Sequence, residues 1–364
     1  MTRKIKILII FGGQSGEHEV SVVSADSVLK ALDSKKYAIE TIGITKEGLW
    51  YWGVKPEEWK QTNGIVLPNY KQVALVLNPQ EPRFISLDGS ALPFKGKCDI
   101  IFPVMHGPKG EDGTIQGLFD MAGLPYVGSG VLGSSLGMDK DRMKAVFRDA
   151  GLPIVPHLTF LRSELAQNMQ NIVETIANGI GYPCFIKPAN LGSSVGISKA
   201  DNNKQLRAAL EYAAKFDHKI LVEKGVKARE IELSVLGNDV PKVSIPGEIV
   251  PSKEFYDYEA KYIDAGSKLI IPADLKTSVV EKLQDYAKKA FKAVEAKGLG
   301  RMDFFVTKDE SIFINEINTL PGFTQISMYP KLWEASGLSY PDLLDRLIDL
   351  GLERFEDDSN RRLS

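Results

Sequence analysis

The opening third of this sequence predicts an open parallel α/β sheet, and three observations carry the prediction. Residues 6–11 (KILIIF) contain an apolar run with the length of a parallel strand buried on both faces. A glycine-rich turn, Gly12-Gly13-Gln14-Ser15-Gly16, follows at once, and residues 17–32 then read as a helix capped by Ser15 or Ser21. Residues 37–44 return as a second strand. Strand, glycine turn, helix and strand in this order place a ligand at the sheet edge beyond the strand ends.

The remaining elements follow in order. Residues 45–97 hold Trp50, Trp52 and Trp59 among prolines and glycines, which predicts a strand-rich elaboration rather than disorder. A strand over 99–104 leads into His106 and a glycine-rich turn, then a helix over 114–122 and a short strand at 125–127. A second unit begins near Met138, with a helix over 140–150 ended by Gly151-Leu152-Pro153. Within it lie a strand over 184–188, a turn at 192–196, a further strand, a helix over 203–216 and a strand over 219–223. A third unit, from about Ile231, carries strands around Leu233, Ile245 and Phe304 and helices over 277–296 and 340–352. The polar residues 353–364 are expected to fray. More than one lobe is expected of 364 residues, because single cores rarely grow beyond ~250–300 residues.

Composition narrows the function. A net charge of −2 and a pI of about 6.2 give no global pull toward nucleic acid or an anionic membrane. Cys98 and Cys184 are too few for a secreted disulfide framework, and both sit in apolar surroundings as expected free thiols. The basic start, followed by the short apolar run at 7–11, passes into Gly-Gly and a charged helix, unlike a signal peptide. No stretch is long enough to span a bilayer, so a cytoplasmic location is the expectation.

Several residue groups could carry chemistry. The acids Glu17 and Glu19 suit a helix start for structural reasons alone, yet one of them at the ligand edge could bind an ammonium group. His106 follows a buried strand directly, in the loop position where open sheets present ligands; a loop histidine satisfied by its neighbours is the plainer account. Lys187 ends an apolar strand and precedes Gly192-Ser193-Ser194-Val195-Gly196, a turn whose N–H groups can cradle an anion, and Lys140 is a second candidate cation. No GxxxxGK[ST] loop is present. The strongest signal is acidic. Glu316 and Asn318 share one face of an extended segment by period-two alternation, and Asp303 would join them from a hairpin partner. Carboxylate and amide oxygens of this kind suit Mg²⁺. The alternative is a solvated polar face, which the apolar company of these residues argues against. Residues 255–262 (FYDYEAKY) mix rings and charge as a water-excluding lid would, or as an anchored surface loop would.

Together these stretches closely resemble the D-alanine–D-alanine ligase family of ATP-grasp enzymes. The matching motifs, in order, are FGGQSGEHEVS from Phe11, HGPKGEDGTIQG from His106, YVGSG from Tyr126 and MDK from Met138. FIKPANLGSSVGISK from Phe185, VEKGVKAREIE from Val222, FYDYEAKY from Phe255, RMDFF from Arg301 and NEINTLPGFT from Asn315 complete the series. The resemblance implies an N-terminal open parallel α/β domain (1–137), followed by a two-lobed ATP-grasp fold made of a central subdomain (138–230) and a C-terminal catalytic, metal-binding domain (231–364). It implies that ATP phosphorylates one D-alanine and that the amine of a second attacks the acyl phosphate. Roles follow by position. Glu17, beside His106, holds the first ammonium, and Ser193 and Tyr262 link with Glu17 and the lid. Lys140, Lys187 and Lys261 meet phosphates, Glu223 and Lys224 the adenine, and Glu230 the ribose. Asp303, Glu316 and Asn318 bind two Mg²⁺ (or Mn²⁺), Arg301 and the Gly322 N–H stabilise the oxyanion, and Ser327 and Met328 receive the second carboxylate. A homodimer is implied as well.

The nearest rivals are D-alanine–D-lactate and D-alanine–D-serine ligases. In lactate-forming relatives the lid tyrosine is typically replaced, whereas Tyr262 is present here. A biotin-dependent carboxylase would lack the histidine turn and the lid. A nucleotide sensor would not need Arg301, the metal strands and a lid together.

Overall fold

The computed structural model describes residues 3–62, 68–192, 195–251, 268–324 and 326–360. Its first sheet comprises β1 (Ile5–Gly12), β2 (Tyr37–Ile44), β3 (Trp50–Trp52), β4 (Lys71–Val76), β5 (Arg83–Ser86) and β6 (Ile100–Val104), in the order β5-β4-β3-β2-β1-β6. The strands β2, β1 and β6 are parallel, and β3 to β5 continue antiparallel, so residues 45–97 widen the sheet as the strand-rich elaboration expected. Ile7, Ile9 and Phe11 point toward α1 (His18–Ala31) and the C-terminal helix, whereas Leu8 and Ile10 share a core with Phe119 and Ala122. All five β1 side chains are fully buried, each worth about 1.5–3 kcal/mol of transfer free energy. The short helix α2 (Pro56–Gln61) lies beside α1, and α3 (Thr114–Ala122) carries Phe119 and Ala122.

Neither expected cap closes the start of α1. Ser15 Oγ accepts from Glu17 N at 3.1 Å ahead of the helix. Ser21, one turn in and facing the sheet, accepts from Gly12 N at 2.7 Å and donates to Val104 O, stapling the ends of β1 and β6 together. Gly12 adopts φ +87, and a Cβ there would lie 2.3 Å from Ile44 O, so this glycine exists for the close approach of β2. Where a strand was expected at 125–127, a single parallel bridge joins Ile101 to Tyr126.

Two unforeseen or partly foreseen helices then lead on: α4 (Val131–Met138), absent from the sequence reading, and α5 (Lys140–Asp149), capped by the Asp139 carboxylate. The second sheet is antiparallel, β7-β10-β8-β9, from β7 (His157–Leu161), β8 (Cys184–Pro188), β9 (Ser198–Ala200) and β10 (Lys219–Lys224). The helices α6 (Arg162–Gly179) and α7 (Asn203–Ala213) cover one face through Ile172, Val173, Ile176, Leu206 and Leu210. Neither β7 nor α6 was legible beforehand; the buried stripe of α6 is confined mainly to its second half.

The third sheet follows the path β14-β13-β11-β15-β16, with β12 paired to β11. Its strands are β11 (Ala228–Gly237), β12 (Lys242–Val243), β13 (Gly247–Val250), β14 (Lys268–Ile270), β15 (Gly298–Thr307) and β16 (Ile312–Asn318). Ile245 falls between β12 and β13 rather than in a strand. The helix α8 (Thr277–Ala293) buries Leu283, Ala287 and Phe291 against it, beside Met143 and Phe147 of α5. The chain closes with α9 (Met328–Ala335) and α10 (Tyr340–Ser359). Residues 353–359 do not fray. The Arg354 guanidinium lies 4.1 Å above the Tyr126 ring and donates to its carbonyl, while Leu343, Leu344, Leu347 and Ile348 join the core of the first sheet. Among the described residues, no helix is long and apolar enough to cross a membrane.

Candidate active site

A single cleft is lined from all three sheets' surroundings: Glu17, His106 and Glu111 from the first, Lys140 and Gly192 from the second unit, and Glu232, Arg301, Glu316 and Asn318 from the third. Gly322, Thr324, Ile326, Ser327 and Met328 close the same space, with Ile249 and Leu269.

One wall is set by strand register. Glu232, Asp303 and Glu316 stand side by side across β11, β15 and β16, and the next row holds Ser234, Arg301 and Asn318. Arg301 grips Asp303 with two bonds, Nε to Oδ1 at 2.8 Å and Nη2 to Oδ2 at 2.7 Å, and its Nε is 3.1 Å from Glu232 Oε2. Burial disfavours the guanidinium charge, but the Asp303 and Glu232 carboxylates outweigh it and raise the pKa well above the ordinary arginine value. Lys140 Nζ lies 3.5 Å from Glu316 Oε2 and donates to Leu191 O at 2.7 Å. A small adjoining cavity is bounded by Glu230, Glu232, Asp303, Asn315 and Glu316. Among the described residues no three or more His, Cys, Asp or Glu form a metal cage. The oxygen set of Asp303, Glu316 and Asn318 nevertheless fits Mg²⁺, which takes its other ligands from phosphate and water.

The opposite wall is made of loops. His106 Nδ1 faces Leu320 O at 3.1 Å and Glu111 Oε1 at 3.3 Å, and Nε2 is 3.4 Å from Ser24 Oγ. Ser24 Oγ also accepts from Phe323 N at 3.3 Å, so α1 tethers the 320–323 segment directly. Burial opposes the His106 charge, yet Glu111, Glu17 and the Leu320 carbonyl leave its pKa raised. Burial raises the Glu111 pKa as well. Gly107 adopts φ +74, and a Cβ there would stand 2.6 Å from Ser15 Oγ and 2.9 Å from a Glu17 oxygen. Of the three residues at the helix start, Glu17 alone faces the cleft: His18 packs edge-on to Trp59 and Glu19 pairs with Lys46 at the surface.

Behind the cleft lies a buried charge cluster. Glu223 Oε1 is 2.7 Å from Lys144 Nζ and Oε2 is 2.5 Å from Lys187 Nζ. Burial would raise the Glu223 pKa, but the two ammonium groups hold it far below the usual carboxylate range. Burial lowers the Lys144 pKa, whereas at Lys187 the Glu223 carboxylate, with Glu316 and Glu230, outweighs burial and leaves that pKa raised.

Of the residues singled out from sequence, Glu17, His106, Lys140, Arg301, Glu316, Asn318, Gly322, Ser327 and Met328 meet at the cleft, and Asp303 and Glu230 at its annex. Lys187 and Glu223 pair with each other, and Lys224 is exposed at the end of β10. Ser193, Lys261 and Tyr262, with the rest of the 255–262 segment expected to act as a lid, lie outside the described residues. Sequence reasoning gave no role to Glu111, Lys144 or Glu232. Two were within reach: Glu232 is two strand residues from Glu230, and Lys144 one helical turn from Lys140.

Two antiparallel sheets closing on a carboxylate, lysine and arginine cleft, joined to an open α/β sheet, are the architecture of an ATP-grasp enzyme. Family models described as the D-ala D-ala ligase N-terminus and C-terminus match residues 6–129 and 146–349. A D-alanine–D-alanine ligase of Acetivibrio thermocellus is 48% identical over 372 residues, covering 98% of each chain. The solved D-alanine-D-alanine ligase from Coxiella burnetii superposes with a TM-score of 0.82 at 35% identity, covering 98% of this chain and 97% of that one. The VanG D-Ala:D-Ser ligase from Enterococcus faecalis gives 0.86 at 38% identity, covering 96% and 100%. The chain belongs to the D-alanine–D-alanine ligase family.

Proposed function

We propose that this enzyme joins two D-alanine molecules at the expense of ATP, through an acyl phosphate, for peptidoglycan precursor synthesis in the cytoplasm. The observation that carries the reading is the convergence on one cleft of Glu17, His106, Lys140, Arg301, Glu316, Asn318 and Gly322, drawn from widely separated parts of the sequence. Glu17 binds the ammonium of the first D-alanine, with His106 held beside it by Glu111 and Leu320. Lys140 and Lys187 meet the nucleotide phosphates, Glu223 and Lys224 serve the adenine side and Glu230 the ribose. Asp303, Glu316 and Asn318 hold two Mg²⁺ ions, which neutralise phosphate charge when bound. Arg301 and the Gly322 N–H stabilise the oxyanion formed when the second amine attacks. Ser327 and Met328 take the second carboxylate. Ser193, Lys261 and Tyr262 complete the lid and first-substrate network by family likeness, and the working unit is a homodimer.

The likeness to a D-Ala:D-Ser ligase makes D-serine the competitor for the second position. Ile249, Leu269, Ile326 and Met328 give the cleft an apolar stretch beside Ser327, which favours a methyl over a hydroxymethyl group. Such a pocket discriminates by only about 10²-fold or less. ADP release is the test: it is expected with Mg²⁺, ATP and D-alanine, and not with L-alanine. Release independent of D-alanine, or depsipeptide or D-alanyl-D-serine as the main product in equimolar mixtures, would overturn the reading.

A further inference from the structure

Lys144 is the most deeply buried lysine of the charge cluster, with a side chain 1% exposed against 11% for Lys187. The two ammonium groups come from different elements, α5 and β8, and share one carboxylate from β10. Two cations on one anion leave a net positive charge; one cation on one anion leaves none. The Glu316 and Glu230 carboxylates also attract Lys187, so its positive charge is already partly offset and each cation of the cluster counts. Lys144 further donates to Asn315 O at 3.0 Å, next to Glu316, and is itself absent from the cleft lining.

We propose that Lys144 is a positioning residue for the nucleotide: by sharing Glu223 from behind, it leaves the charge of Lys187 only partly neutralised and directed at the phosphates. The proposal rests on the reading of Lys187 as a phosphate contact. Without Lys144, Lys187 and Glu223 close into a neutral buried pair, and in a poorly screened interior that loss is felt by a polyanion. The same logic predicts its own rescue. Removing the Glu223 charge as well leaves Lys187 as the one cation of the cluster, still attracted by Glu316 and Glu230.

The readout is the ratio of ATP affinity to adenosine affinity, measured by titration in the full-length enzyme with Mg²⁺. The ratio isolates the phosphate contribution, whereas a merely structural disturbance of β10 weakens both ligands alike. Lys144→Met is expected to lower the ratio by about tenfold, and Lys144→Met/Glu223→Gln to return it to within about threefold of wild type. An unchanged ratio in the single variant, or a double variant no better than the single, overturns the proposal. Lys187→Met tests the premise separately. If it leaves the ratio at the wild-type value, the phosphate role of Lys187 falls, and the inference with it. If it lowers the ratio while Lys144→Met does not, only the inference falls. Should Lys144→Met fail to fold, Lys144→Gln takes its place with the same outcomes: a lowered ratio restored by Glu223→Gln supports the proposal, and an unchanged ratio overturns it.

Discussion

The two walls of the cleft are built on different principles. On one, Asp303, Glu316, Arg301 and Asn318 occupy neighbouring positions of two antiparallel strands, β15 and β16, so backbone hydrogen bonds fix their spacing before any side chain chooses a rotamer. On the other, Glu17, His106 and Glu111 stand on loops, and their geometry depends on contacts reaching across hundreds of residues, such as Ser24 to Phe323 and His106 to Leu320. The strand wall tolerates backbone stress and is sensitive to the chemistry of each side chain. The loop wall is sensitive to small steric changes. Precision comes from register in one case and from tertiary clamping in the other.

The largest effect expected from this contrast is chemical and on the strand wall. Glu316→Ala should leave the fold intact, because Glu316 is partly exposed and its strand is held on both sides of that position, yet lower kcat on the order of a thousandfold. Thermal unfolding and steady-state turnover at saturating Mg²⁺ check both halves; near-wild-type turnover would remove Glu316 from the metal site.

A steric change on the loop wall should do less to kcat and more to substrate binding. Gly107→Ala adds a methyl group against Ser15 and Glu17 at a backbone conformation unsuited to alanine. The KM of the first D-alanine should rise about tenfold, with stability lowered by about 1–2 kcal/mol and nucleotide affinity unchanged. Equal losses in D-alanine and ATP affinity would break the distinction between the walls.

The smallest effect is a pH dependence on the loop wall. His106 has a folded pKa raised above its unfolded value of about 6.5, so its stabilising contribution is complete below that pH and is lost as pH rises through the folded value. Glu111, also raised, contributes in the same sense, its share being full below its unfolded pKa and lost on the way up. The wild type should therefore lose stability on the alkaline side of about pH 6.5, and Glu111→Gln should flatten that slope and lower the His106 pKa. Melting temperatures at about pH 6 and pH 8.5, with an imidazole NMR titration, measure both. A steeper slope in the variant would reverse the assignment of Glu111 as the partner that raises His106.

By itself the sequence determined whatever follows from local periodicity. The 6–11 run became β1, the glycine turn and helix followed it, and the alternation of Glu316 and Asn318 put both on one face beside Asp303. These features depend on residues a few positions apart, where strand and helix periods dictate direction. Tertiary structure alone decided the rest. Ser21 reads locally as a helix cap, but its position toward the sheet makes it a staple between β1 and β6. The polar 353–359 segment reads as a fraying tail, but Arg354 finds Tyr126 some 228 residues away and the helix persists. Lys144 reads as one more charged residue on an amphipathic helix, and only the packing of α5 against β10 and β16 turns it inward to a carboxylate and a carbonyl. Such partners are distant in sequence and leave no periodic signal. The energies involved, a desolvated charge against its buried counter-charge, exist only once the fold has excluded water.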